Sequence, residues 1–372
     1  MTEEVQPLVI DFGSGFTKAG FACDAEPKSV FPSAVGLSRI SKVATDRSAQ
    51  SLIYPIEKGI VTDWKAMETL LKHTFYNELR VYPENNPVLL TEAQFNTNTN
   101  REKMTEIMFE TFGVPGLYVA NQAVLDLYAY ERSKNDTYNF DDLKGLVVTS
   151  GKTVTHAVPI YGGKVQRGVQ RLDLGGRDIT NYLKKALNNY SIDESEINVI
   201  KESMYNIKDN RESMCYVAAD FESELQSSDI TNTLERNYEL SNGEVLTLNK
   251  ERFIPPEVLF KPSISCLESV GIHEIAFNSI QSCDVKIRKE LYGNILLSGG
   301  NTLFDGFQSR LFTQLRNFAP ETKLGLNTPE NPQYSSWKGG SELVKSGYLD
   351  DKWITRAEYD EAGPTIINRK CF

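Results

Sequence analysis

Histidine and tryptophan are scarce, three of each in 372 residues, and the five cysteines (Cys23, Cys215, Cys266, Cys283, Cys371) are scattered without a single CxxC pair. A disulfide framework and a zinc site both need cysteines at closer, paired spacing, so both are excluded. No run of 18 apolar residues occurs, which argues against a membrane-spanning helix. The opening MTEEVQPL lacks the basic stretch and apolar core of a secretory signal, so the expected compartment is reducing, cytosol or nucleus. Positive charge is in deficit: 40 Lys and Arg face 50 Asp and Glu, a net charge of -10. Such a surface repels phosphate backbones and anionic lipid heads, so neither nucleic acid nor membrane is an expected partner.

What remains is an ordinary globular composition, 40% hydrophobic and 24% charged, on a chain long enough for two or three domains at about 150 residues each. Leu8-Val9-Ile10 reads as a short buried strand, Asp11 to Gly15 as a Gly-rich turn, and Thr17 to Ala22 as extended. A helix is predicted from about Arg101 to Phe112, with Met104, Ile107, Met108 and Phe112 on one face, Asn100 as N-cap and Gly113 just past its end. The stretch Tyr130 to Lys144 dissolves into charges, Asn and turn formers and reads as a surface loop with little structure of its own.

An internal echo follows it. The run Val9 to Lys18 aligns with Val147 to His156 at a constant offset, so an apolar strand, a small Gly-bearing turn and a second strand are written twice. A third such turn follows Asn294-Ile295-Leu296-Leu297, as Ser298-Gly299-Gly300-Asn301. Gly turns after strands let backbone N–H groups approach an anion closely, and Lys18 adds a point charge. Three of them in this order favour a nucleotide phosphate site, although one alone would say little.

These residues resemble the actin family, within the wider group that includes sugar kinases and heat-shock chaperone ATPases. The similarity covers nearly the whole chain. It is carried by Tyr54 to Glu57, Gly59 to Thr62, His73 to Val81, Pro87 to Glu92, Asn100 to Met104, Gly271 to Glu274 and the terminus Arg369-Lys370-Cys371-Phe372. The fold class implied is α/β, with two duplicated ribonuclease-H-like lobes, each a mixed sheet with flanking helices, around a nucleotide cleft. The resemblance implies subdomain 1 over 1–32, 55–132 and 335–372, a shortened subdomain 2 over 33–54, subdomain 3 over 133–174 and 268–334, and subdomain 4 over 175–267.

Carried over residue by residue, it implies ATP or ADP held by Asp11, Gly13, Ser14, Gly15 and Lys18, with Asp11 keeping a divalent metal through water. From the other lobe it implies Ser150, Gly151, Lys152, Thr153, Val154 and Gly176 on the phosphates. Arg211 and Glu212 fall on the nucleoside, and Gly299, Gly300, Phe304 and Gln333 near the base. Gln122 would orient the attacking water and His156 relay its proton. Phe12 replaces the usual Asn after Asp11. Where actins write Asp-Ser-Gly-Asp-Gly, this chain writes Thr149-Ser150-Gly151-Lys152-Thr153. Two carboxylates become a hydroxyl and an ammonium, which favours nucleotide, disfavours Mg²⁺ and makes any ATPase weak or absent.

Assembly positions depart as well. Only 17 residues separate Gly36 from Tyr54, so the loop that reaches into the next subunit of an actin filament is largely missing. The groove that receives it, and that takes profilin, cofilin and short actin-binding helices in the family, carries Lys338, Glu342, Ser346 and Lys352 at positions the family keeps apolar. The altered groove and the enlarged segment Tyr130 to Lys144, with Tyr130, Tyr138 and Phe140 among charges, are candidate contact surfaces for protein partners, other actin-like or complex subunits. The expectation is a divergent, nucleotide-binding structural protein of the cytoskeleton or a larger assembly. The alternative is a polymerising actin-type ATPase with altered kinetics, which the intact Gln122 and His156 favour.

Overall fold

The computed structural model describes residues 6–36, 52–187, 214–239, 243 and 245–371. The expected filament loop at 37–51, most of the shortened subdomain 2, and part of subdomain 4 at 188–213 lie outside the described residues. The chain divides into two compact units, one comprising Met1–Val147, Ile160–Val165 and Gln333–Phe372, the other Val148–Pro159 and Gln166–Pro332.

The first unit is built on a six-stranded sheet in the order Ile354–Thr355, Gly116–Asn121, Val88–Glu92, Leu8–Phe12, Phe16–Phe21, Ser29–Pro32. Leu8–Phe12 runs parallel to Val88–Glu92, which runs parallel to Gly116–Asn121, while Phe16–Phe21 returns antiparallel. The parallel strands are covered on both faces, which is why Leu8, Val9, Ile10, Val88 and Leu89 are fully buried and read as unbroken apolar runs.

Two helices, Gln122–Lys134 and Ser335–Lys345, cross closely against this sheet. The Trp337-Lys338-Gly339-Gly340 sequence makes the crossing: Trp337 is buried and donates from Nε1 to Val9 O at 2.9 Å. A Cβ on Gly339 would lie 2.0 Å from Leu125 O, and one on Gly340 2.8 Å from Val9 Cγ1. Gly339→Ala is therefore expected to destabilise the protein by about 1–3 kcal/mol through overpacking against backbone that cannot yield. A denaturant midpoint unchanged from the parent would refute the tight crossing.

The helix predicted over 101–112 begins earlier. Its α-helical part is Asn98–Glu106, and the last turn, Ile107–Thr111, widens to π geometry. Thr97, not Asn100, is the N-cap, its Oγ1 accepting from Asn100 N at 3.2 Å. Ile107, Met108 and Phe112 pack into the core as expected, while Met104 is only half-buried. Gly113 follows in the left-handed region at φ 62°.

The stretch 130–144 is also more ordered than its composition suggests. The helix Gln122–Lys134 runs through its first five residues, a 3-10 turn forms at Phe140–Asp142, and the strand Lys144–Ser150 starts at its end. Lys134 Nζ sits 3.7 Å from the Tyr130 ring centroid and shields it at the helix end.

A second sheet runs in the order Lys164–Val165, Thr155–Tyr161, Lys144–Ser150, Ile295–Ser298, Leu326–Asn327, with Gln170–Leu172 also pairing to Thr155–Tyr161. The internal echo is structural. In the first copy Gly13 N donates to Phe16 O at 3.1 Å, and at the same offset Gly151 N donates to Val154 O at 3.0 Å. No helix among the described residues is long and apolar enough to cross a membrane.

Candidate functional site: two glycine turns and a groove

In the first unit the turn Gly13-Ser14-Gly15 joins Leu8–Phe12 to Phe16–Phe21. Asp11 is almost fully buried just before it, and its carboxylate is shared among three donors. Lys18 Nζ lies 2.8 Å from Oδ2; Thr91 Oγ1 and Gln122 Nε2 donate to Oδ1 at 2.6 and 2.8 Å. The sheet explains the meeting. Lys18 stands opposite Asp11 on the antiparallel neighbour, Thr91 lies on the parallel neighbour, and Gln122 opens the helix that leaves the third strand, capped by Asn121. Gln122 Nε2 also reaches Thr91 Oγ1 at 3.2 Å, so its amide is held by two partners.

Ser14 Oγ accepts from Gly59 N at 3.1 Å. The amides of Ser14 and Gly15 have no acceptor among the described residues, so two backbone donors are available to an anion, beside a Lys18 ammonium already paired with Asp11. This donor set fits phosphate oxygens. It does not fit a tightly held divalent ion: the Asp11 oxygens already face Lys18, Thr91 and Gln122, and no cluster of three or more His, Cys, Asp or Glu suited to a metal occurs among the described residues.

In the second unit the echoing turn is knitted into protein. Ser150 is fully buried, its Oγ 2.8 Å from Thr155 Oγ1 and accepting from Asn301 Nδ2 at 2.9 Å. That hydroxyl faces inward, where it clamps the hairpin to the third turn. Gly151 O and Lys152 O accept from the amides of Gly176 and Arg177 at 3.0 and 2.7 Å, so the N-terminus of the helix Gly176–Leu187 is spent on the turn itself. The approach requires glycine before it, since a Cβ on Gly175 would lie 2.6 Å from Gly151 O. Thr153 is buried, and Val154 contributes the carbonyl that closes the turn. Thr149 and Lys152 are half-buried.

The third turn backs onto the second. Gly299 adopts φ 84° and approaches so closely that a Cβ would sit 2.3 Å from Ser150 O, whereas one on Gly300 would meet open space. Phe304 is buried within the same unit. Gln333 belongs to the first unit, and Arg211 and Glu212 lie outside the described residues.

His156 stands opposite Arg171 on the neighbouring strand and is nearly buried. Burial, helped by the Arg171 charge, pushes its pKa down to about 4, so the ring is neutral at physiological pH and a weak base there.

The groove positions cluster in the first unit. Glu342 is neutralised locally, lying 3.2 Å from Arg132 Nη2 and 3.3 Å from Lys345 Nζ. Lys352 Nζ sits 3.8 Å from the Tyr348 ring centroid and donates to Tyr348 O at 2.8 Å. The Ser346 hydroxyl folds back to Leu343 O, and Lys338 is half-buried on the helix Ser335–Lys345.

Sequence reasoning missed Thr91, Thr155 and Asn301, which position Asp11, Gln122 and Ser150. Thr91 carried a usable signal, because a polar residue closes an otherwise apolar run, Val88 to Leu90, beside the strand bearing Asp11. Asn301 carried none, as its partner Ser150 is 151 residues away. A family model described as Actin matches residues 2–372, and with that match spanning essentially the whole sequence, this chain belongs to the actin family.

Proposed function

We propose that this chain is a divergent, nucleotide-binding structural protein of the cytoplasmic cytoskeleton or a larger protein assembly. In this reading its turns hold ATP or ADP, Mg²⁺ is bound weakly, and both hydrolysis and conventional filament growth are impaired. The observation that carries it is the donor set of the two phosphate turns. Asp11 is neutralised by Lys18, and the second turn presents Thr149 and Lys152 in place of two carboxylates. The amides of Ser14 and Gly15 and the Lys152 side chain favour phosphate, and with the carboxylates gone from the second turn little is left to retain a cation.

Support for impaired assembly comes from Lys338, Glu342 and Lys352 on the groove and from the short interval between Gly36 and Tyr54. A charged side chain is costly to bury in an apolar contact, and even the Glu342–Arg132 pair would have to be stripped of its water there. The second reading, a polymerising ATPase with altered kinetics, draws on Gln122, which is held ready beside Asp11 and Thr91.

A thermal melt with and without ATP tests occupancy: bound nucleotide raises the midpoint by mass action, and Mg²⁺ adds little to that rise. Pelleting after addition of Mg²⁺ and salt separates the readings. Filaments at micromolar protein with phosphate release in step would establish the second and overturn the first.

A further inference from the structure

We propose that the second unit carries a binding cleft for a small neutral molecule that presents a primary amide on a flat apolar body. The cleft shares no residue with the glycine turns or the groove, so the proposal stands whatever those sites hold.

The cleft has a volume of about 220 Å³, and its floor is the ion pair of Glu257 and Arg310. Arg310 sits on the core-facing stripe of the helix Phe307–Phe318, beside Phe307 and Leu311, which carries its guanidinium inward. Glu257 is 1% exposed and Arg310 9%. Glu257 Oε1 accepts from Arg310 Nη2 at 3.0 Å, and Arg310 Nη1 donates to Ala218 O at 2.7 Å. Those bonds leave one atom of each group over: Glu257 Oε2 and Arg310 Nε are buried without a partner among the described residues. His273 Nδ1, on the cleft wall, is a third such atom. Unmet buried polar atoms are costly and rare, so three of them on one cleft mark a place where something other than the chain completes the bonding.

The formal charges of the cleft are already answered. Lys261 Nζ lies 2.8 Å from Glu222 Oε1, and Arg310 answers Glu257. Asp220 spends Oδ1 on Ser223 N as the N-cap of the helix Phe221–Ile230. Burial pushes the His273 pKa down, so that ring is neutral. A charged ligand would upset this balance. What the floor lacks is one donor for Oε2 and one acceptor for Nε. Both atoms flank the same bonded pair, and a primary amide carries N–H and C=O side by side.

Water supplies either bond, but the cleft has room for several molecules at ~30 Å³ each. Its walls include the Phe221 and Phe260 rings, against which an apolar body displaces that water favourably.

The probe is benzamide, titrated to millimolar concentration against the full chain by ligand-observed NMR at pH 8, where Glu257 is ionised. Three isosteres or fragments each remove one feature. Benzoate has no N–H for Oε2, benzylamine has no acceptor for Arg310 Nε, and acetamide has no ring. Each is expected to bind at least about tenfold more weakly than benzamide.

Glu257→Gln is the sharper test. Arg310 Nη2 still takes the amide oxygen, so the NH2 group stands where Oε2 was, a donor in place of an acceptor. With the Arg310 charge then unanswered, benzoate is expected to bind the variant at least about tenfold tighter than benzamide, the reverse of the parent. A change that only loosens the fold weakens both probes together. No binding of benzamide by the folded parent, any of the three other probes matching it, or an unreversed order in folded Glu257→Gln overturns the proposal. Where Glu257→Gln does not fold, the ranking in the parent decides.

Discussion

Restoring carboxylates to the second turn, by Thr149→Asp together with Lys152→Asp, is expected to make Mg²⁺ stabilise the ATP-bound protein and to raise single-turnover phosphate release at least about tenfold. The argument is electrostatic. A pair of unit charges about 4 Å apart is worth roughly 4 kcal/mol at an effective dielectric of 20. The double change moves the turn by three negative charges, and each ~1.4 kcal/mol delivered to the transition state is a factor of ten in rate. Solvent reaches both half-buried positions and screens part of that energy, which is why a modest factor is expected.

The two measurements guard each other. ATP alone is expected to stabilise the parent at least as well as the double variant, since Lys152 favours the anion. A Mg²⁺-dependent rise in melting midpoint confined to the variant would locate the cation deficit in this turn. If the variant neither gains that rise nor releases phosphate faster, the second turn does not set cation affinity, and the Asp11 carboxylate with its Lys18, Thr91 and Gln122 partners is the next place to test.

That alternative marks the limit of what could be read before the fold was known. The repeated strand–turn–strand pattern was legible because it is local: ten residues carry the strand periodicity and the turn chemistry, and the same closing hydrogen bond appears in both copies. The reason for the glycines of Trp337-Lys338-Gly339-Gly340 was not legible, because the demand for Gly339 comes from Leu125 O on another helix. The inward rotation of Ser150 was likewise invisible. It depends on Asn301 and Thr155 reaching one hydroxyl from two other elements.

The stretch 130–144 misled for a physical reason. Its helical part ends in Arg132, Ser133 and Lys134, polar residues that look like loop in isolation. They serve the C-terminal end of the helix, where cations are favoured, and Arg132 is drawn to Glu342 across the helix pair. Phe140 was noted only as an aromatic among charges. The rings that explain it stand 12 residues earlier and 208 later, at Tyr128 and Tyr348.

The second unit carries a buried ion pair that no pattern announced, and it supplies the other large effect. Arg310 Nη2 lies 3.0 Å from Glu257 Oε1, with Glu257 almost fully enclosed, while Arg310 Nη1 donates to Ala218 O at 2.7 Å. Burial pushes the Glu257 carboxyl up to about 7, although the Arg310 charge pulls against that shift. A carboxyl whose folded value is raised binds its proton more tightly in the folded state. Its contribution to stability is therefore greatest at low pH, declines as pH rises from the ordinary carboxylate range through about 7, and is level above.

Arg310→Met removes the only opposing charge bonded to Glu257 among the described residues and drives that carboxyl higher still. The variant is expected to lose about 3–5 kcal/mol relative to the parent at pH 8, where the parent's Glu257 ionises against Arg310 and the variant's carboxyl, lacking that partner, is held protonated. At pH 6 the carboxyl stays protonated in both proteins, and the loss is expected to shrink to about 1–3 kcal/mol, the cost of leaving Ala218 O unbonded. Pairing Arg310→Met with Glu257→Leu removes both charges and is expected to bring the pH 8 loss down to that at pH 6, about 1–3 kcal/mol, since Ala218 O still lacks its donor. Denaturant melts at the two pH values decide the matter: a loss of equal size at pH 6 and pH 8 would show that Arg310 acts through packing on Phe260, whose ring centroid lies 5.4 Å from the guanidinium carbon, and not through its charge.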